Sequence, residues 1–99
     1  MIVVSQDGKA FVDLELTMCV KINVRHAGAY DILALSGAVT QWLGTYNNDE
    51  DAAVMLGTLL GLKRFKRLGH KMFIMPHRTD AKAIEKYRAV LEKEGERDD

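Results

Sequence analysis

Between Met18 and Arg25 the chain alternates without a break, Met18, Val20, Ile22 and Val24 set against Cys19, Lys21, Asn23 and Arg25. A period of two sends successive side chains to opposite faces of an extended backbone, so the segment reads as a strand with one face buried and one wet. Such a strand needs neighbours, and the flanking sequence supplies them. Ile2 to Ser5 and Ala10 to Leu14 are short apolar runs separated by Gln6-Asp7-Gly8-Lys9. Asp-Gly between two such runs is a hairpin signal, because Gly8 can take the positive φ that a tight turn demands at no steric cost. After a turn at His26-Ala27-Gly28, Ala29 to Ser36 reads as a returning strand, with Tyr30, Ile32 and Ala34 opposed to Asp31, Leu33 and Leu35. Gly37 breaks the pattern and Val39 to Tyr46 resumes it, with Val39 and Leu43 on one side and Trp42 and Tyr46 on the other. Gly44 inside that run marks a bulge or a close backbone approach.

The pattern then changes to a helical one. Asn47-Asn48-Asp49-Glu50-Asp51 opens a helix near residue 48, with Asn47 as cap, Glu50 at the capping-box spacing and the acids at the positive end of the dipole. Ala52, Leu56, Leu59 and Leu60, with Met55 and Leu62 alongside, form a broad apolar face, expected to lie on the strands. Gly57 and Gly61 let that helix approach the sheet or a second protomer closely, which offsets their helix penalty. Lys63 to Arg67 suit the negative end of the helix, and Gly69 suits the left-handed residue past it. Lys71 to Met75 is a short final strand stopped by Pro76, at the end or edge of a sheet. From Thr79 or Asp80, the stripe Ala81, Ile84, Tyr87 and Leu91 marks a second helix.

The expected fold is therefore α+β: an antiparallel β-meander of about five to six strands, packed by one amphipathic helix, plus a C-terminal helix. Residues 1–93 form a single domain, and residues 94–99 are a charged, frayed tail. A length of 99 residues with 47% hydrophobic and 28% charged residues is that of one ordinary globular domain, with no linker-like stretch. The lone Cys19 cannot make an internal disulfide and is expected to be an inert, partly buried thiol. The N-terminus lacks the basic and apolar regions of a secretory signal, and the longest mainly apolar run is too short to span a bilayer. A cytoplasmic protein of a bacterial host, with no membrane association, is the expectation.

Net charge is zero, yet residues 1–50 hold three cations against six acids, so the remainder carries the compensating excess. Lys63, Arg64, Lys66, Arg67, Lys71 and Arg78 fall together without an intervening acid. Such a cluster can neutralise phosphates and bind nucleic acid. A solvated helix end explains it better, because the cations would spread around the helix, Phe65 suits the core better than a stacking platform, and the chain lacks an overall basic bias. His26, His70 and His77 are spaced as turn residues and not as a ligand set, so no metal and no cofactor is expected. Nucleophile elbows, phosphate loops and H-E-x-x-H are missing from the sequence, and no enzyme is expected. Ile84, Tyr87 and Leu91 have two uses open to them, a homodimer seam or a cover for the chain's own core.

The opening Ile2-Val3-Val4-Ser5-Gln6-Asp7-Gly8, with Leu43-Gly44-Thr45-Tyr46 leading through an acidic cap into the helix from Ala52, resembles a group of short proteins encoded by prophages and mobile elements of Gram-positive bacteria. The resemblance covers roughly residues 1–62, with an echo at Phe73-Ile74-Met75-Pro76, and its motifs are mostly turn and cap chemistry. It implies a few strands followed by a helix and assigns no residue a role. The basic stretch and the length of the last helix depart from it. Together these readings point to a small accessory protein that works by binding a macromolecule, most readily another protein. Nucleic-acid binding through residues 63–78 is the first alternative and a homo-oligomeric assembly component the second.

Overall fold

The computed structural model describes residues 1–17, 19–65 and 72–97. Six strands and two helices run in the order β1 (Ile2–Val4), β2 (Phe11–Asp13), β3 (Cys19–His26), β4 (Ala29–Ser36), β5 (Val39–Tyr46), α1 (Asp49–Phe65), β6 (Met72–Ile74) and α2 (Ala81–Arg97). The class is α+β, with an antiparallel meander β3-β4-β5 on which α1 packs.

The strands divide between two small sheets. β1 and β2 do not continue into the meander but pair with each other, and β6 joins β1 on its other side, parallel, to give the order β2-β1-β6. The division has a local cause. After β2 the chain folds into turns, with Leu16 N–H bonded to Asp13 O at 3.1 Å, Thr17 Oγ1 to the same carbonyl at 3.0 Å and Glu15 N–H to Asp13 Oδ1 at 3.0 Å. These bonds turn the backbone away before β3 can form a hairpin with β2.

The hairpin between β1 and β2 forms as its sequence predicts. Gly8 N–H closes the turn on Ser5 O at 2.9 Å with φ +73° at Gly8, and Asp7 Oδ1 accepts from Ser5 Oγ at 2.6 Å and from Lys9 N–H at 3.0 Å. Those bonds hold the Asp7 carboxyl below the usual carboxylate range. In β3 the predicted alternation holds at Val20 and Ile22, which are half-buried, and fades at Val24, which is exposed; Met18 lies outside the described residues. Cys19 is exposed, against the expectation of a partly buried thiol, because it falls on the meander face opposite the core residues Ile32 and Ala34.

β5 runs over the predicted residues but is not regular. The pairing passes from Leu33↔Trp42 to Ile32↔Gly44, so Leu43 is an extra residue in the strand. The bulge reverses the faces beyond it. Trp42 and Tyr46, expected on one side, are separated, and Tyr46 and Leu43 both reach the core.

The helix α1 starts one residue later than predicted. β5 holds Tyr46, and the cap is Asn48, whose Oδ1 accepts Asp51 N–H at 2.8 Å; Asp51 takes the position assigned to Glu50. Ala52, Met55, Leu59 and Leu62 make the buried stripe, while Leu56 is only half-buried and Leu60, expected to face the strands, is 62% exposed on the far side. The close approach at Gly57 is to α2, not to the sheet: a Cβ there would lie 3.1 Å from Leu91 Cδ1. Asp80 caps α2 by accepting Ala83 N–H at 3.2 Å, and the helix continues through Arg97 into the segment read as a tail. The predicted helix-end residue Gly69 lies outside the described residues, as do residues 98–99 and the side chain of Phe65.

Candidate functional site

Most of the buried polar chemistry joins one part of the fold to another. The chain leaves β1 at Gln6, whose N–H crosses to Leu43 O at 2.6 Å in the other sheet. The Gln6 side chain follows it, with Nε2 donating to Thr45 O at 3.1 Å and Pro76 O at 2.9 Å while Oε1 accepts Thr45 N–H at 3.0 Å. Tyr46 Oη donates to the same Pro76 carbonyl at 2.9 Å, and burial holds its phenol protonated far above the ordinary range.

A second network lies on the outward face of the meander. Arg25, unpaired in the ladder where β3 bulges between Val24 and His26, sends Nε to Asp31 Oδ2 at 2.6 Å and Nη2 to Asp31 Oδ1 at 3.0 Å. Thr45 Oγ1 donates to Asp31 Oδ1 at 2.6 Å, and Trp42 Nε1 donates to Thr45 Oγ1 at 2.9 Å. Burial pushes the Asp31 carboxyl up, but these donors and the Arg25 charge outweigh it and hold the group below its ordinary value. A fully partnered, ionised carboxylate of this kind braces a sheet. Arg88 similarly ties α2 to the first turn of α1, 3.3 Å from Asp51 and 3.7 Å from Glu50.

The candidate site is apolar. A groove of about 400 Å³ opens between α1, β6 and α2, walled by Gly57, Leu62, Phe73, Tyr87, Val90 and Leu91, with Lys86 also on its lining. Its size is that of a ligand-binding cleft, and the Phe73 and Tyr87 rings meet edge to face at 5.3 Å. Around the β6 edge from the groove lies the outer face of sheet β2-β1-β6. Register pairs Phe11 with Val4 and Val4 with Ile74, and Ile2 with Met72, so these side chains share a face. Phe11 is 70% exposed, Met72 57% and Ile74 62%. These exposed apolar side chains, with Asp13 on the same face, make this sheet face a candidate interaction surface.

The residues that the sequence singled out fare unevenly. Lys63 is half-buried and its Nζ donates to Thr17 O, and Arg78 is exposed in the turn before α2. Lys66, Arg67, His70 and Lys71 lie outside the described residues, as does the side chain of Arg64. Lys63 and Arg78 are thus the members of the basic stretch that can be placed, and one of them is tied to the backbone. Ile84 is fully in the core and Tyr87 and Leu91 pack against it, so the stripe covers the chain's own interior while its last two members also wall the groove. His26 and His77 are exposed, with His26 Nδ1 2.8 Å from Ala27 O and His77 Nδ1 2.8 Å from Thr79 Oγ1. Among the described residues no group of His, Cys, Asp or Glu side chains could hold a metal ion, and no helix is long and apolar enough to cross a membrane.

The sequence reading missed the groove and the sheet face beside it. The available signal was Lys71 to Met75, an apolar run whose edge position Pro76 announced, but its parallel pairing with β1, some seventy residues away, was not written in any local pattern. Comparison with protein-family models, curated proteins and solved structures finds no match to this chain in any of the three.

Proposed function

We propose that this chain is a small, non-enzymatic accessory protein, of the kind encoded by prophages and mobile elements that its opening motif resembles, and that it acts by binding another protein. The observation that supports this reading is the apolar groove between α1, β6 and α2, beside the row Phe11, Val4 and Ile74, in which Phe11 and Ile74 are exposed and Val4 is half-buried. The groove wall is mostly apolar, with Lys86 as the cation on its lining, so the surface offers shape and apolar area.

The test is capture from a bacterial lysate by immobilised wild-type chain and by Val90→Glu, which puts a charge in the groove wall, with circular dichroism to confirm that the variant folds. A reproducible protein retained by wild type and lost by the variant is the expected result. Failure of either chain to retain a protein, or equal retention by both, would refute the reading.

Nucleic-acid binding through residues 63–78 ranks second, since of its described cations only Arg78 is exposed. Anisotropy against DNA and RNA across a salt series tests it, with a log–log slope of about −0.9 per phosphate contact expected for duplex DNA if it holds.

A further inference from the structure

The outer edge of β6 carries backbone groups that no described strand pairs. Met75 N–H donates to Val4 O at 3.0 Å, so by strand alternation the N–H and C=O of Ile74 point the other way, off the end of the order β2-β1-β6. An open edge is a template for another chain, and natural folds usually blunt it with charge, proline or a bulge. Here it is bordered by apolar side chains instead. Met72, Phe73 and Ile74 all line the groove. Consecutive strand residues point to opposite faces, so three in a row border one groove only where the groove runs along the strand's edge. The opposite wall is α2, with Tyr87 and Val90 in it and Lys86 on the lining.

We propose that the β6 edge takes an extended segment of another protein as a further strand of its sheet, with alternate apolar side chains entering the groove and an acidic side chain meeting Lys86. The inference rests on the protein-binding reading and names the partner's chemistry. Ile74 sets the backbone register of the added strand, and the groove receives every second side chain. The remaining side chains extend the outward rows Phe11·Val4·Ile74 and Asp13·Ile2·Met72 by one position each. An apolar small molecule would fill the groove but leave the Ile74 peptide groups unpaired. A second copy joined edge to edge through its own β6 would bring only another three-residue strand, whereas a longer segment runs on along the groove.

The test selects peptides from a displayed random library on the immobilised full chain, then titrates the most enriched one, labelled, by fluorescence anisotropy. Enriched peptides are expected to alternate apolar residues and to carry an acid. N-methylation of the peptide at alternate amides facing β6 should weaken binding about tenfold or more, and methylation of the intervening amides should change it less than about twofold. Ile74→Pro deletes the outward N–H while leaving the ladder to β1 intact, so it should match the tenfold loss; if that variant does not fold, the methylated peptides decide the matter. No enriched peptide, or equal tolerance of both methylation patterns, overturns the proposal. A lysate partner lost by Val90→Glu but indifferent to Ile74→Pro overturns the added strand and leaves the broader protein-binding reading standing. A dimer in light scattering that Ile74→Pro dissociates overturns it in favour of a second copy.

Discussion

The side-chain amide of Gln6 pairs with the backbone of Thr45 as a neighbouring strand would, giving one hydrogen bond and accepting another at 3.1 and 3.0 Å. It covers the β5 edge beside the bulge, at the point where the main chain of Gln6 has already taken Leu43 O. Ser5-Gln6-Asp7-Gly8 and Leu43-Gly44-Thr45-Tyr46 thus meet in space. Their chemistry serves a joint between sheets. It closes a turn, bridges an edge and anchors Pro76 behind β6.

Replacing Gln6 by Ala leaves Thr45 N–H and O without their partner in a half-buried place. A loss of about 2 kcal/mol is expected, or roughly 8–16 °C in Tm for a domain of this size. Urea denaturation measures it, and a loss below about 0.5 kcal/mol would show the joint to be dispensable.

Arg25→Ala strips the buried Asp31 carboxylate of its charged partner and leaves Thr45 Oγ1 as its donor. The expected cost near neutral pH is about 1–2 kcal/mol. Because the folded-state pKa of Asp31 is depressed, its contribution is present above the ordinary carboxylate pKa and is lost as pH falls through the folded value. In Arg25→Ala that depression shrinks, so acid unfolding followed by tryptophan fluorescence should begin at higher pH than in wild type. An unchanged acid midpoint would contradict the assignment.

The two asparagines before α1 should separate cleanly. Asn48 caps the helix through Asp51 N–H, whereas Asn47 reaches only Arg78 O at 3.5 Å in an exposed place. Asn48→Ala is expected to cost about 1 kcal/mol and Asn47→Ala less than about 0.5 kcal/mol, read from paired denaturation curves. The reverse order would restore Asn47 as the cap.

Gly57→Ala sets a helix-propensity gain of up to about 1 kcal/mol against a contact that only the end of the Leu91 side chain must relieve. Leu91 borders the open groove and has room to move by a few tenths of an ångström. The variant should be at least as stable as wild type in thermal unfolding. A loss above about 1 kcal/mol would mean that the α1–α2 approach is rigid.

Local chemistry was legible in the sequence, and long-range pairing was not. The Asp7-Gly8 turn, the alternation at Val20 and Ile22, the bounds of β5 and the Asp80 start of α2 follow from periodicity and capping, which act over a few residues. The bulge was half legible, since Gly44 announced an irregularity, but only the pairing with β4 shows that Leu43 is the extra residue. Leu60 misled because a leucine at helical spacing reads as core whether or not a neighbour covers it. The candidate site depended most on distant contacts. Its floor is β6 lying parallel to β1, and its wall is α2 brought against Gly57, neither of which any local pattern encodes.

Amide hydrogen exchange at Ile74 and Met75 in the free full-length chain, resolved by NMR, probes the open edge of β6 directly. With Met75 N–H bonded to Val4 O and Ile74 N–H directed away from β1, fast exchange at Ile74 beside slow exchange at Met75 is expected, with Ile74 becoming protected when a selected peptide is added. Equal protection of both amides in the free chain would mean that the edge is already paired, and no strand could be added there.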